Sequence, residues 1–165
     1  MEKLELKHIA PYLPYGLKVK DFDSEDEQSI EGYFIRDNGI NFSIQNGICH
    51  ITNMKPILRP LSDLTKEIEV NGEKFIPAFR LYPFTDENTT IDEPYSDGRP
   101  VRISNEEGCF MIYSGTSFKF EDYMKGRNLK FNDYDMVNKL IKWHFDVFGL
   151  IEKGLAVDIN TLNNG

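Results

Sequence analysis

The sequence predicts an α+β fold, a mostly antiparallel sheet with a long C-terminal helix packed on one face. Three observations carry that expectation. Short apolar and aromatic runs alternate with turn signals at Asp37-Asn38-Gly39, Gln45-Asn46-Gly47 and Asn71-Gly72, the punctuation of hairpins. Asp133 to Lys153 carries a helical period instead, with Val137, Leu140, Ile141, His144 and Phe148 on one stripe. Finally, 165 residues with 40% hydrophobic and 28% charged side chains suffice for one core, so a single domain over residues 1–165 is expected.

Taken in order, "LELKHIAPYLPYG" is a short helix near residues 5–12, broken by Pro11 and ended before Pro14 and Gly16. From Leu17 the pattern turns to strands: "LKVKDF", "SIEGYFIR", "INFSIQ" and "ICHIT" form an antiparallel meander over residues 17 to 52. Pro56 and Pro60 exclude helix and regular strand from "MKPILRP" and leave an extended segment along the core. Ser62 caps a short helix near residues 62–69, with Asp63 at its positive end. "KFIPAFRLYPF" is apolar but interrupted by Pro77 and Pro83, and its element type stays open. "RPVRISNEEGCFMIYSGTSFKFEDY" holds two or three strands, with turns at Asn105 to Gly108 and at Ser114-Gly115. Asn132 or Asp133 caps the final helix, and Gly154 followed by Leu155 matches a Schellman stop.

The net charge of −8 is unevenly placed. Residues 21 to 31 hold six acids and no base, and residues 86 to 97 hold five acids and no base. Without those eleven, sixteen acids face nineteen bases. Crowded carboxylates are most stable in solvent, so both segments are expected as exposed loops or hairpin tips. They supply the candidate binding surface: Asp21, Asp23, Glu25, Asp26 and Glu27 from the first, Asp86, Glu87, Asp92 and Glu93 from the second. Two distant cysteines, Cys49 and Cys109, fit reduced thiols rather than a disulfide framework. "MEKLELKHIAPYLPYG" lacks a signal-peptide core and the longest apolar run is "VFGLI", so a cytoplasmic protein without membrane insertion is expected.

Catalytic and metal chemistry find little support. His144 and Asp146 stand about 200° apart on a helix, so they form no dyad. His144 would sit at the core edge, and Lys142 and Asp146 would pair at i,i+4 on the polar side. "DFDSEDEQSIEG" places Asp21, Asp23 and Glu25 at the first, third and fifth positions of a calcium loop. Asp26 then stands where such a loop needs Gly, and Gly32 where it needs Glu, so a solvated acidic loop is the better reading. Cys49, His50, Cys109, His8 and His144 show no zinc spacing, and no cysteine–histidine nucleophile is indicated by spacing. Glycines stand singly at turns, with no phosphate-binding loop and no nucleophile elbow. Lys55, Arg59 and Lys66 are the only local basic grouping, which is no nucleic-acid stripe. No catalytic residue, metal ligand or cofactor is assigned.

The phrases "IAPYLPYGLK", "MKPILRPLSDLTKEIEVNGEKFIP" and "WHFDVFGLIEKGLAVDIN" resemble those of small uncharacterised proteins encoded by prophages and mobile elements of gut Bacteroidales. They cover roughly a third of the chain or slightly more. The resemblance implies a bacterial, intracellular, phage-type origin and brings no activity or functional residue with it. The leading expectation is a non-catalytic protein-binding module, supported by eight Tyr and twelve Phe and by the missing chemistry. Its partner would be another protein of the host or phage, with self-association as a further option and no direct nucleic-acid binding. One alternative is an acidic inhibitor occupying the nucleic-acid-binding groove of a host defence protein. Another is a small metal-dependent hydrolase or nuclease using Asp and Glu.

Overall fold

The computed structural model describes residues 2–22, 26–36, 39–81, 88–91, 101–104, 109–113, 118–122 and 133–162. The chain divides into two compact units, one from Met1–Pro60 with Val137–Gly165, the other from Leu61–Met136. Along the first sixty residues lie α1 (Leu6–Ile9), β1 (Lys18–Asp21), β2 (Glu27–Arg36), β3 (Gly39–Ile44), β4 (Gly47–His50) and β5 (Met54–Leu58). Then come β6 (Ile68–Val70), β7 (Glu73–Phe75), α2 (Pro77–Leu81), β8 (Thr90–Ile91), β9 (Val101–Ser104), β10 (Cys109–Tyr113) and β11 (Phe118–Asp122). The chain closes with α3 (Asp133–Lys142) and β12 (Val157–Asp158).

The first unit is a six-stranded sheet in the order β12-β5-β1-β2-β3-β4. The meander over residues 17 to 52 is antiparallel, β5 pairs antiparallel with β1, and β12 runs parallel to β5. The sheet is therefore mixed, where a mostly antiparallel one was expected. Alternation sets the faces: Val19 is buried between Lys18 and Lys20, and Phe42 and Ile44 are buried on β3. Phe42 stands directly opposite Cys49, also buried, so the cross-strand pair thickens one layer of the core. That core gathers Ile9, Tyr12 and Leu17 from the N-terminal segment, Val19, Phe42, Met54 and Leu58 from the sheet, and Ile141, Leu150 and Ala156 from the C-terminal segment. Each fully buried Leu, Ile or Phe contributes about 1.5–3 kcal/mol, so three distant stretches of sequence hold one another in place. Gly39 is required by more than its φ of +114°: a Cβ there would lie 2.8 Å from Nε2 of His50.

Pro56 belongs to β5, against the expectation that proline excludes a strand there. It stands opposite Val19 on one side, while β12 reaches only Ile57 and Leu58 on the other. Pro56 thus occupies an edge-like position inside the sheet, where a missing N–H disturbs no ladder on the β12 side. Before the sheet, α1 gives way at Ala10 to a 3₁₀ turn over Ala10–Tyr15, with Pro11 near its start and Gly16 closing it at φ +72°.

The larger correction concerns the C-terminus. The expected long helix from Asp133 to Lys153 is absent; α3 ends at Lys142, and the described residues contain only short helices. His144 adopts a left-handed backbone with φ +59°. Its N–H bonds the carbonyl of Ile141 at 2.9 Å, and the N–H of Phe145 bonds that of Leu140 at 2.9 Å. These two bonds make a Schellman motif, with His144 where glycine is usual and apolar Phe145 packed behind it. The same pair of bonds recurs ten residues on, from Gly154 to Ile151 at 3.0 Å and from Leu155 to Leu150 at 2.8 Å. The stop expected at Gly154 is real, but it closes a separate turn.

In the second unit, β6 and β7 form a hairpin whose Asn71 and Gly72 both have positive φ, 53° and 80°. The helix expected near residues 62–69 is a 3₁₀ turn over Leu61–Thr65, and Ile68–Val70 is strand. Pro77 opens α2, where its lacking N–H costs nothing. Strands β8 to β11 form an antiparallel sheet in the order β11-β10-β9-β8. No helix among the described residues is long and apolar enough to cross a membrane.

Candidate functional site

Three of the nine acidic candidates lie within the described residues. Asp21 closes β1, Asp26 is exposed just before β2, and Glu27 opens β2. They sit at one end of the β1–β2 hairpin, with Lys20 directly opposite Glu27. The Glu27 carboxylate lies 2.9 Å from the ammonium of Lys18. Asp23, Glu25, Asp86, Glu87, Asp92 and Glu93 lie outside the described residues. Among the described residues, no three His, Cys, Asp or Glu side chains gather where they could hold a metal ion.

The same hairpin end adjoins a pocket of about 240 Å³ that the sequence did not announce. Phe22 follows Asp21, and its N–H donates to the carbonyl of Asn53 at 2.9 Å, tying it to the start of β5. The residue is 58% exposed, and the ammonium of Lys55 lies 5.7 Å from the ring centroid. Leu4, Ile51, Met54 and Leu155 wall the pocket, and Glu2, Lys3, Thr52 and Lys55 complete its lining. Glu2 is paired with Lys153 at 3.0 Å. The Thr52 hydroxyl is engaged by Nδ1 of His50 at 2.8 Å and Oδ1 of Asn53 at 3.1 Å. The lining comes from four stretches of the chain, so no local motif could reveal it. One signal was present: a phenylalanine inside the acidic run "DFDSEDE".

His144 and Asp146 have separate roles, for reasons other than their angle on a helix. Asp146 is buried and does not pair with Lys142 on a polar face. One carboxylate oxygen accepts the N–H of Leu150 at 2.8 Å, the other that of Ile151 at 2.7 Å. Both oxygens are therefore engaged by backbone, and no hydrogen bond joins them to Nε2 of His144. The Asp146 N–H donates to the carbonyl of Arg59, whose own N–H donates to the carbonyl of His144, both at 2.8 Å. Tyr12, fully buried, donates its hydroxyl to the Phe145 carbonyl at 2.7 Å and accepts the Val147 N–H at 3.4 Å. Burial pushes the Tyr12 phenol well above its ordinary pKa, so it stays protonated and keeps donating. Burial also holds the His144 imidazole below its ordinary pKa; a hydrogen bond to the Tyr15 backbone opposes this, and the Arg59 charge adds to it. Nε2 of His144 is buried without a hydrogen-bond partner. This arrangement is a structural knot joining the two ends of the first unit, and it presents no activated nucleophile.

Comparison with protein-family models, with curated proteins and with solved structures finds no match for this chain.

Proposed function

We propose that the chain is a non-catalytic protein-binding module of phage or mobile-element origin, acting on a protein of the bacterial host or phage. The face at the Asp21–Glu27 end of the β1–β2 hairpin is its contact surface. One observation carries this reading: Phe22 is a large, 58% exposed aromatic held in place by its own backbone beside an apolar pocket. Rigid aromatics next to a cavity are the side chains that dominate binding energy, because little conformational freedom is lost when they are covered. The flanking acids Asp21 and Asp26 add long-range attraction for a basic partner and speed encounter, while Glu27 is paired with Lys18.

The acid run also favours a narrower reading, in which the partner is a host defence protein and the acids occupy its nucleic-acid groove. Affinity capture from lysate of a gut Bacteroidales host tests both. Wild type should retain one stoichiometric partner at low salt, and Phe22→Ala should lose it while staying folded. Release of that partner by added oligonucleotide selects the groove inhibitor. Retention of the same proteins by wild type and Phe22→Ala alike would overturn this surface assignment.

A further inference from the structure

The pocket beside Phe22 carries information about what enters it. Its volume, about 240 Å³, lies below the range of cavities that hold drug-sized ligands, roughly 300–1,000 Å³. It exceeds the cavity of about 150 Å³ that accepts benzene. One large aromatic or branched side chain fits that space. The walls are Leu4, Ile51, Met54 and Leu155, so the group that fills it is apolar.

The lining is not neutral. Lys3 and Lys55 both contribute, and neither ammonium has a carboxylate partner among the described residues. The only carboxylate of the lining, Glu2, is already paired with Lys153. An internal apolar side chain of a partner would bring only neutral amides to those two charges. A chain terminus brings an α-carboxylate one bond from the Cα that bears the apolar side chain. Just outside the pocket the charge reverses, with Asp21 and Asp26 on the hairpin beside Phe22.

We propose that this pocket takes the C-terminal residue of a partner polypeptide, with a large apolar side chain between Leu4 and Met54 and its α-carboxylate at Lys3 and Lys55. Basic residues just upstream of that terminus lie against the acidic hairpin end. This deepens the protein-binding reading and rests on it, since it names the chemistry that the partner presents. A free apolar acid of the same size shares the terminal chemistry but not the basic segment.

Fluorescence anisotropy with an N-terminally labelled hexapeptide, two lysines followed by a small spacer and a C-terminal Phe, tests the assignment. The free-acid peptide should bind, and its amide should bind at least tenfold more weakly. Lys3→Ala with Lys55→Ala should weaken the free acid by a similar factor and leave the amide unchanged. Circular dichroism would check that this double variant remains folded. Displacement by 3-phenylpropanoate would support recognition of the terminal group, and weaker displacement than by unlabelled peptide would identify the chain terminus as the source. Equal binding of acid and amide would overturn the proposal. So would peptides that fail to bind while lysate capture still depends on Phe22, an outcome that leaves the binding-module reading standing. Failure of both peptide and lysate capture would remove the two together.

Discussion

Asp146 shows how much one side chain settles in this molecule. Its carboxylate takes two backbone N–H groups, from Leu150 and Ile151, in a site where water does not reach it. Asp146→Ala leaves both donors without that acceptor, and each such loss costs about 1–3 kcal/mol. Stability to urea should fall by about 3 kcal/mol, and Asp146→Asn, which keeps one acceptor oxygen, should lose about half as much. Tyr12→Phe keeps the packing and removes the bond to the Phe145 carbonyl, so a loss of about 1 kcal/mol is expected. His144 adds a dependence on pH. Because burial lowers its pKa in the folded state, the unfolded chain takes up a proton first as the pH falls. The stability contributed by the neutral imidazole is complete above its ordinary pKa near 6.5 and is lost on acidification below it, levelling off under the folded-state pKa. Urea midpoints measured from pH 7.5 to 5 should therefore decline more steeply for wild type than for His144→Asn. An unchanged slope in that variant would refute the assignment.

The ends of elements explain what could be read from the sequence and what could not. Hairpins marked by glycine were legible: Asn71-Gly72 turns β6 into β7 because both residues accept a positive φ. Gly72→Ala should cost about 1 kcal/mol in a thermal or urea melt, the strain of an L-residue in left-handed backbone. The end of α3 was not legible, because its left-handed residue is His144 rather than glycine. The apolar spacing of Leu140, Ile141, His144 and Phe148 continues a helical period across a point where the chain turns. Periodicity extends the stripe past His144, but the Schellman turn buries Phe145 and Asp146 and leaves Val137 exposed, so stripe and core agree fully only at Leu140 and Ile141. Pro56 failed as a signal for a related reason: its effect depends on the neighbouring strand, and β12 is too short to reach it. Of the proposed binding face, the acids were visible as composition. The pocket was not, because Leu4, Ile51 and Leu155 meet only through the tertiary fold.

The arrangement of the chain into two units makes its ends interdependent. The first unit draws on Met1–Pro60 and on Val137–Gly165, with the second unit inserted between them. Ile141, Leu150 and Ala156 fill the same core as Ile9, Val19 and Phe42, and β12 completes the edge beside β5. Tyr12 and Arg59 fasten the first segment to Phe145, His144 and Asp146 of the last. A chain ending at Pro60 loses those core side chains and both fastenings, and it should show no cooperative unfolding transition. Replacing residues 61–132 with a flexible Gly/Ser linker keeps every one of them. Because closure entropy grows only slowly with loop length, about 0.6 kcal/mol per doubling, the shortened chain incurs no large penalty from the linker itself. It should unfold cooperatively in urea, with dispersed amide resonances and with the Asp146→Ala loss reproduced at similar size. Its m-value should be smaller than that of the full chain, since less surface is exposed on unfolding. If the linked protein instead gave a broad, non-cooperative transition, the first unit would need residues 61–132 to fold, and the division into two units would describe proximity alone.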